Sequence, residues 1–400
     1  MAVTFKLHRP IANVITTCLH EILSVHKPAD KVLEKNFKVN PKLGSRDRGL
    51  VASFVYDIVR NNLLIRYCIG SDNYWHSLGA WILLKGDDIP EWEEFKALDK
   101  NTILKLRGIG DSIPKVRYSI PDELDEIGIN ALKERWYTEI EAMHLPAPMV
   151  MRVNTLKTTR PEIEKFLKQN SIKYSLPNDD KGEAVIIKQR INLFSSPIFQ
   201  EGLVEVQDYA SQQVAWYLDP QPGERIIDAC AGAGGKALHI AALMKNKGRI
   251  LALDIEDYKL ETLKKRARRA AADLIETRWI ENNKVIKRLE NQADKLLLDV
   301  PCTGSGVLKR NPDAKYRITE KYLTELTEKQ HVILNNYSKM VKPGGLLVYV
   351  TCSIFYQENQ DQINTFLAKN SDFEFVDDKN LWPSEFGFDG FYIAKLRKKN

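Results

Sequence analysis

The stretch IANVITTCLHEILSVH carries apolar residues at Ile11, Val14, Ile15, Cys18, Leu19, Ile22 and Leu23. Spacing of three and four is the stripe of a helix that faces a core, and Pro28 lies beyond its end. A second stripe runs through Leu50, Val51, Phe54, Val55, Ile58 and Val59, with Ser45 as its expected N-cap. Shorter helical patterns cover Trp75 to Leu84 and Trp92 to Leu106; Pro114, Pro121 and the acidic run Asp122 to Glu126 then read as linker. Near Pro146 the texture changes. Val150 to Val153 and Ala184 to Ile187 are short β-rich runs around a helix that Pro161 begins, a small module ending near Ser196. From Gly202 onward RIIDACA, RILALD, TRWIE, KLLLDVP and LLVYVTC are nearly continuous apolar runs, each followed by a longer charged or amphipathic segment. Strands buried on both faces of a parallel sheet read this way. Phe373 to Val376 and Phe391 to Leu396 predict a terminal pair of strands. The expected fold class is α/β: a Rossmann-like, mostly parallel sheet over 201–400, preceded by an all-α domain with linker over 1–142 and an α+β module over 146–200.

Composition narrows the setting. The chain has 400 residues, 44% hydrophobic and 28% charged, which are globular values with capacity for more than one core. Its longest apolar runs, such as Leu346 to Val350, fall far short of the roughly 20 residues that span a bilayer, and MAVTFKLHRP lacks a secretory apolar core. A cytoplasmic protein without a membrane partner is expected. Five cysteines, with no CxxC pair and no Cys/His cluster at zinc spacing, indicate neither a disulfide framework nor a metal site. Net charge +6 suits an anionic partner such as RNA.

The first candidate site is the strand, glycine cluster and helix start of Asp228-Ala-Cys230-Ala231-Gly232-Ala-Gly234-Gly235-Lys236. Glycines let the backbone turn tightly and approach a ligand, and the helix start favours an anionic group. A phosphate-binding P-loop would need Gly at Cys230 and Ser or Thr at Ala237, so that reading fails twice. Gly232-x-Gly234-x-x-Ala237 satisfies the dinucleotide pattern, with Asp254 placed to hold a ribose diol. NAD and S-adenosyl-L-methionine both remain. Asp228 favours the methyl donor, whose ammonium needs a carboxylate where a pyrophosphate would be repelled.

The other two candidates are strand exits, Asp299-Val-Pro-Cys302 and Thr351-Cys352-Ser353. Ligands of open α/β sheets bind at the carboxyl ends of strands, so these thiols converge if their strands are neighbours. Cys18 and Cys68 lie on apolar helix faces and read as core. A thiolate that adds to carbon 6 of a pyrimidine turns carbon 5 into a nucleophile able to take a sulfonium methyl. Loss of the carbon 5 proton and of the thiol then needs a base or second thiol, and Asp299 can hold ring nitrogen 3.

The ordered set QDYAS (Gln207 to Ser211), DACAGAGGK, Asp254, LLLDVPCTGSG, RNPD (Arg310 to Asp313), KPGG (Lys342 to Gly345) and VTCS resembles the RsmB/Sun-type family of RNA cytosine 5-methyltransferases along essentially the whole chain. GSRDRGLVASFVYDIVR (Gly44 to Arg60) is similar to the NusB-like RNA-binding domain often fused to them, and Met149 to Arg160 to the start of the module before the catalytic domain. The resemblance implies Cys352 as nucleophile, Cys302 as the residue that assists release, and S-adenosyl-L-methionine held by Asp228, Cys230, Ala231, Gly232, Gly234, Gly235, Lys236, Asp254 and Asp299. Two departures stand out. The usual C-A-A-P-G-G-K-T has Gly232, Ala233 and Ala237 substituted, and the acid near the adenine is replaced by Asn282 or Asn283. The implied product is 5-methylcytosine in structured RNA, ribosomal RNA before others, made by a monomeric enzyme without metal. An NAD-dependent oxidoreductase and a catalytically silent RNA-binding assembly factor are the competing readings.

Basic residues add less. Lys264, Lys265, Arg266, Arg268 and Arg269 form a helical run that reads first as a solvated face, and Lys309 to Asp313 as a loop overhanging the site. His239 and His331 read as packing residues.

Overall fold

The computed structural model describes residues 7–178, 181–189 and 191–400; Met1 to Lys6, at the start of the expected helical domain, lie outside them. The first apolar stripe folds as helix Arg9–Leu23, and all seven of its apolar residues are buried. The second is helix Ser45–Arg60, with Gly44 as its cap residue in place of Ser45. Cys18 and Cys68 are buried in this core; burial, then Glu21, pushes the Cys18 thiol up to about 12. The pattern over Trp92 to Leu106 resolves into a short turn, Glu93–Phe95, and helix Lys100–Gly110, because Asp99 accepts from Thr102 N at 2.7 Å and sets the start.

The acidic linker is a helix. Asp122–Leu132 follows Pro121, its acids lie in the first turn where the helix dipole favours them, and Leu124, Ile127 and Leu132 are buried. Asp125 accepts from Trp136 Nε1 at 2.7 Å and Tyr137 OH at 2.9 Å.

Contacts divide the chain into two units, Met1–Leu145 with Val307–Tyr322, and Pro146–Gly306 with Leu323–Asn400. Sixteen residues from the far half of the sequence thus fold with the helices. Lys315 Nζ donates to Arg60 O at 2.6 Å and Tyr118 O at 3.3 Å, Arg60 Nη2 to Lys309 O at 2.8 Å, and Tyr316 OH to Val59 O at 2.9 Å. Asp313 accepts from Ala29 N at 3.2 Å. The RNPD loop is therefore packed into the helical unit, and burial with Arg60 nearby pushes Lys315 well below its ordinary value.

Among the described residues the second unit holds eleven strands: β1 (Met149–Val153), β2 (Tyr174–Ser175), β3 (Ala184–Ile187), β4 (Val204–Val206), β5 (Arg225–Asp228), β6 (Arg249–Asp254), β7 (Ile275–Trp279), β8 (Ala293–Asp299), β9 (Val341–Thr351), β10 (Phe373–Leu381) and β11 (Phe391–Lys398). Antiparallel β2-β3-β1-β4 form one sheet. Its last strand comes from beyond residue 200, so the module's sheet crosses the expected boundary there. The second sheet has order β10-β11-β9-β8-β5-β6-β7, with β9 to β7 parallel and the β10/β11 pair antiparallel. β5 sits between β8 and β6, where chain order reverses, which opens a crevice at the strands' carboxyl ends. The strand runs read from the sequence supply its core: Ile227, Leu251, Leu253, Leu296, Leu298, Leu347 and Tyr349 are all at most 1% exposed.

Candidate active site

The glycine cluster leaves β5 and enters helix Gly235–Leu243. Gly234 has φ +83°, and a Cβ there would lie 2.0 Å from Leu263 Cδ1, so the backbone conformation and the packing each exclude a side chain. Arg266 holds the turn, donating through Nη1 to Ala233 O at 2.8 Å and through Nη2 to buried Glu205 Oε2 at 2.9 Å; Arg269 also binds Glu205. These two members of the basic run are structural struts, while Lys264, Lys265 and Arg268 are exposed. Asp254, at the end of β6, accepts from Gly232 N at 2.8 Å and Glu256 N at 2.9 Å.

Asp228 is 1% exposed, and neither carboxylate oxygen has a hydrogen-bond partner among the described residues. Burial, then the charge of Asp299, raises it to about 7, with Lys236 opposing. Lys236 Nζ donates to Asp299 Oδ2 at 2.6 Å. Burial works against the Lys236 charge, yet Asp299, Cys352 and Asp228 outweigh it and keep the ammonium above its ordinary value.

A cavity of about 350 Å³ opens in front of this loop. Cys230, Gly232, Asp254 and Asp299 line it, while Ala231, Gly234, Gly235 and Lys236 belong to the loop and helix start behind. Asn282 is not part of the lining: it is exposed and accepts from Lys284 N at 3.0 Å as cap of helix Asn283–Lys287, and Asn283 is exposed too. Sequence reasoning missed Ile255, Glu256 and Lys259, which follow Asp254, and Lys329, Ile333 and Tyr337 from helix Glu320–Tyr337. Adjacency to Asp254 could have exposed the first group; no motif marks the second. Asp254, Glu256 and Asp299 line the cavity with Lys259 and Lys329, and the buried Asp228 at the end of β5 is not part of the lining; the excess of carboxylates suits a cationic ligand with a diol better than a pyrophosphate.

β8 and β9 are parallel neighbours in register Asp299↔Val350, and the loops beyond them bring Cys302 Sγ to 3.3 Å from Cys352 Sγ. Gly306 N donates to Cys352 O at 3.0 Å and Gly390 N to Gly306 O at 2.7 Å; a Cβ on Gly306 would lie 2.3 Å from Gly390 O. The Cys302 thiol is held well above its ordinary value by its hydrogen bond to Cys352, then by burial and by Glu358. The structure thus gathers Asp228, Lys236, Asp299, Cys302 and Cys352 at one end of the crevice. His239 is fully buried with Nε2 2.6 Å from Glu183 Oε2, a packing role.

A Rossmann-like sheet with a glycine loop after β5, an acid after β6 and a carboxylate-lined crevice at the switch point is that of a class I methyltransferase domain. The family model described as 16S rRNA methyltransferase RsmB/F matches residues 215–397. The probable ribosomal RNA small subunit methyltransferase B of Bacillus subtilis is 36% identical over 273 residues, 64% of this chain and 61% of that protein. Ribosomal RNA small subunit methyltransferase B of Vibrio cholerae is 34% identical over 298 residues, 71% and 66% of the two. Among solved structures, PH0851 has TM-score 0.81 at 26% identity, over 98% of this chain and 100% of that one. A methyltransferase homolog protein from Pyrococcus horikoshii has TM-score 0.62 at 28% identity, over 71% and 97%. This chain belongs to the RsmB/Sun-type family of S-adenosyl-L-methionine-dependent methyltransferases. Its matches span 61% and 66% of the length of the two curated relatives.

Proposed function

We propose that the protein methylates carbon 5 of a cytosine in ribosomal RNA of the small subunit, through a covalent adduct between Cys352 and carbon 6 of the base. The observation that carries this reading is the Cys302–Cys352 pair, 3.3 Å apart beside Lys236 and Asp299. The names of the relatives support the RNA. S-adenosyl-L-methionine supplies the electrophilic methyl group, with Asp228 facing its ammonium and Asp254 its ribose diol. Neither oxidoreductase chemistry nor silent RNA binding gives the paired thiols a purpose.

The Cys352 thiolate forms a bond to carbon 6, and the electron pair of the 5,6 double bond moves to carbon 5. Lys236, paired with Asp299, would offset the negative charge that moves onto the ring, and Asp299 would accept a hydrogen bond from ring nitrogen 3 once that nitrogen takes up a proton from solvent. Carbon 5 takes the methyl group as the sulfonium carbon–sulfur bond breaks, and the bond electrons stay on the departing sulfur. Removal of the carbon 5 proton by a base restores the double bond and breaks the Cys352–carbon 6 bond. Before attack the two thiols share a hydrogen bond; once Cys352 is bonded to carbon, Cys302 is free to lose a proton to solvent and then to accept the one from carbon 5. Splitting one hard substitution into addition, transfer and elimination is the gain of covalent catalysis.

Bisulfite sequencing of small-subunit ribosomal RNA from cells with and without the gene tests this reading. A cytosine protected only when the gene is present is expected; no difference at any cytosine overturns it.

A further inference from the structure

Glu358 is fully buried, and no step above uses it. It lies in the turn Tyr356–Glu358 ahead of helix Gln360–Lys369. Its Oε1 accepts from Thr303 N at 2.8 Å and Gln330 Nε2 at 2.9 Å, and its Oε2 from Thr303 Oγ1 at 2.5 Å. Thr303 is the residue after Cys302. Asn359, next in the chain and also fully buried, accepts from Thr351 Oγ1 at 2.5 Å and donates to Ser353 O at 3.0 Å; those residues flank Cys352. Glu358 therefore binds the Cys302 loop through Thr303 and also reaches Ser353, while Asn359 holds both residues that flank Cys352.

A buried acid is costly to keep, and apolar residues of similar volume hold loops together as well or better. Burial raises the Glu358 carboxyl, and hydrogen bonds from Ser353, Thr303 and Gln330 offset only part of that. Glu358 also acts on chemistry: its charge is one of the influences that keep the Cys302 thiol protonated. Around it stand Cys302 from the loop after β8, Tyr349 from β9, whose OH donates to Glu358 O at 2.8 Å, and, beyond Cys352, Lys236 and Asp299.

We propose that Glu358 is a positioning residue that, through Thr303, fixes Cys302 opposite Cys352 and so governs release of the methylated base. The proposal rests on the two-thiol reading above. A grip that acts on Cys302 through Thr303 should affect elimination more than attack by Cys352, whose flanking residues Asn359 also holds. Thr303→Val removes one hydrogen bond to the carboxylate without burying a new charge, and Glu358→Gln keeps shape while removing charge.

The test is single-turnover reaction of the full chain with labelled, unmodified small-subunit ribosomal RNA transcript and S-adenosyl-L-methionine. Adduct formation and decay are followed on denaturing gels, beside S-adenosylhomocysteine affinity. Both variants are expected to form adduct within about threefold of the wild-type rate, to release it about tenfold more slowly, and to bind S-adenosylhomocysteine unchanged. Formation and release slowed in equal proportion would mean a merely structural role and overturn the proposal, as would wild-type release in Thr303→Val. Should Glu358→Gln not fold, Thr303→Val decides alone. Cys302→Ala separates the two levels: no adduct there sinks the two-thiol reading and this proposal with it, whereas trapped adduct there with wild-type release in Thr303→Val sinks only the positioning role.

Discussion

The Sγ atoms of Cys302 and Cys352 lie 3.3 Å apart because β8 and β9 are parallel neighbours whose exit loops turn toward the same crevice. The Cys302 thiol is raised by its hydrogen bond to Cys352 and by burial. Cys352→Ala should bind S-adenosylhomocysteine normally yet give neither adduct nor product. Cys302→Ala should attack, transfer methyl and then stall with RNA attached. Denaturing gels with labelled RNA read both, and adduct in Cys352→Ala with none in Cys302→Ala would reverse the roles.

Asp228 links cofactor binding to pH. Its carboxyl is raised to about 7, and an ammonium binds the ionised form. Affinity for S-adenosylhomocysteine should therefore rise with pH and level off above about 7, falling about tenfold per unit below it. Folding has the opposite sign: the raised group favours the folded state at low pH, and that contribution is lost as pH rises from the ordinary carboxylate range through 7. Asp228→Asn should thus be weaker in binding, flat with pH below 7, and more stable than the wild type at pH 8 without ligand. Calorimetric titration and thermal melts across that range check the pair; an unchanged pH slope in the variant would exclude Asp228.

Asp254→Ala should lose on the order of 3 kcal/mol in S-adenosylhomocysteine affinity, about a hundredfold, for want of two charge-assisted hydrogen bonds to the diol. The variant also frees Gly232 N and Glu256 N, so the glycine loop should exchange its amides faster. Wild-type affinity would remove Asp254 from the site.

A chain that starts after Ala142 should fold poorly. Val307–Tyr322 would lose Ala29, Arg60 and Tyr118, leaving Lys315 and Tyr316 without their acceptors. A lowered melting temperature against the full chain is expected, and an unchanged one would show that the segment holds itself.

Periodicity and motif are local signals, and what they announced lies within single stretches of chain. The strands of the large sheet, the left-handed turn at Gly234 and the carboxyl-end position of Cys302 and Cys352 were legible for that reason. The cavity wall was not, because Lys329, Ile333 and Tyr337 reach it from a helix about 100 residues past the glycine loop, on a face without a motif. Asn282 misled because position after the third parallel strand said nothing of its own capping bond to Lys284. The basic run misled in part: charge gives no hint that Glu205, in a different sheet, would claim Arg266 and Arg269. Asp122 to Glu126 looked like linker because acids and prolines mark loops and helix starts alike.

His239 should set part of the acid limit of stability. It is fully buried, and burial, then the Arg152 charge, pushes it down to about 4 against the Glu183 hydrogen bond. A folded value below the ordinary one, about 6.5, means the stabilisation is complete above that pH and lost as pH falls toward 4. The loss is at most about 3 kcal/mol for this group. His239→Gln keeps a donor near Glu183 Oε2 but cannot titrate, so its stability should fall less steeply between pH 6.5 and 4.5. Some slope will remain, because half-buried His144 in the helical unit is pushed down to about 3 by desolvation, then by Lys315, Arg60 and Arg117. Urea unfolding at half-unit steps of pH measures both slopes. Parallel curves for wild type and variant would show that His239 takes no part in acid unfolding.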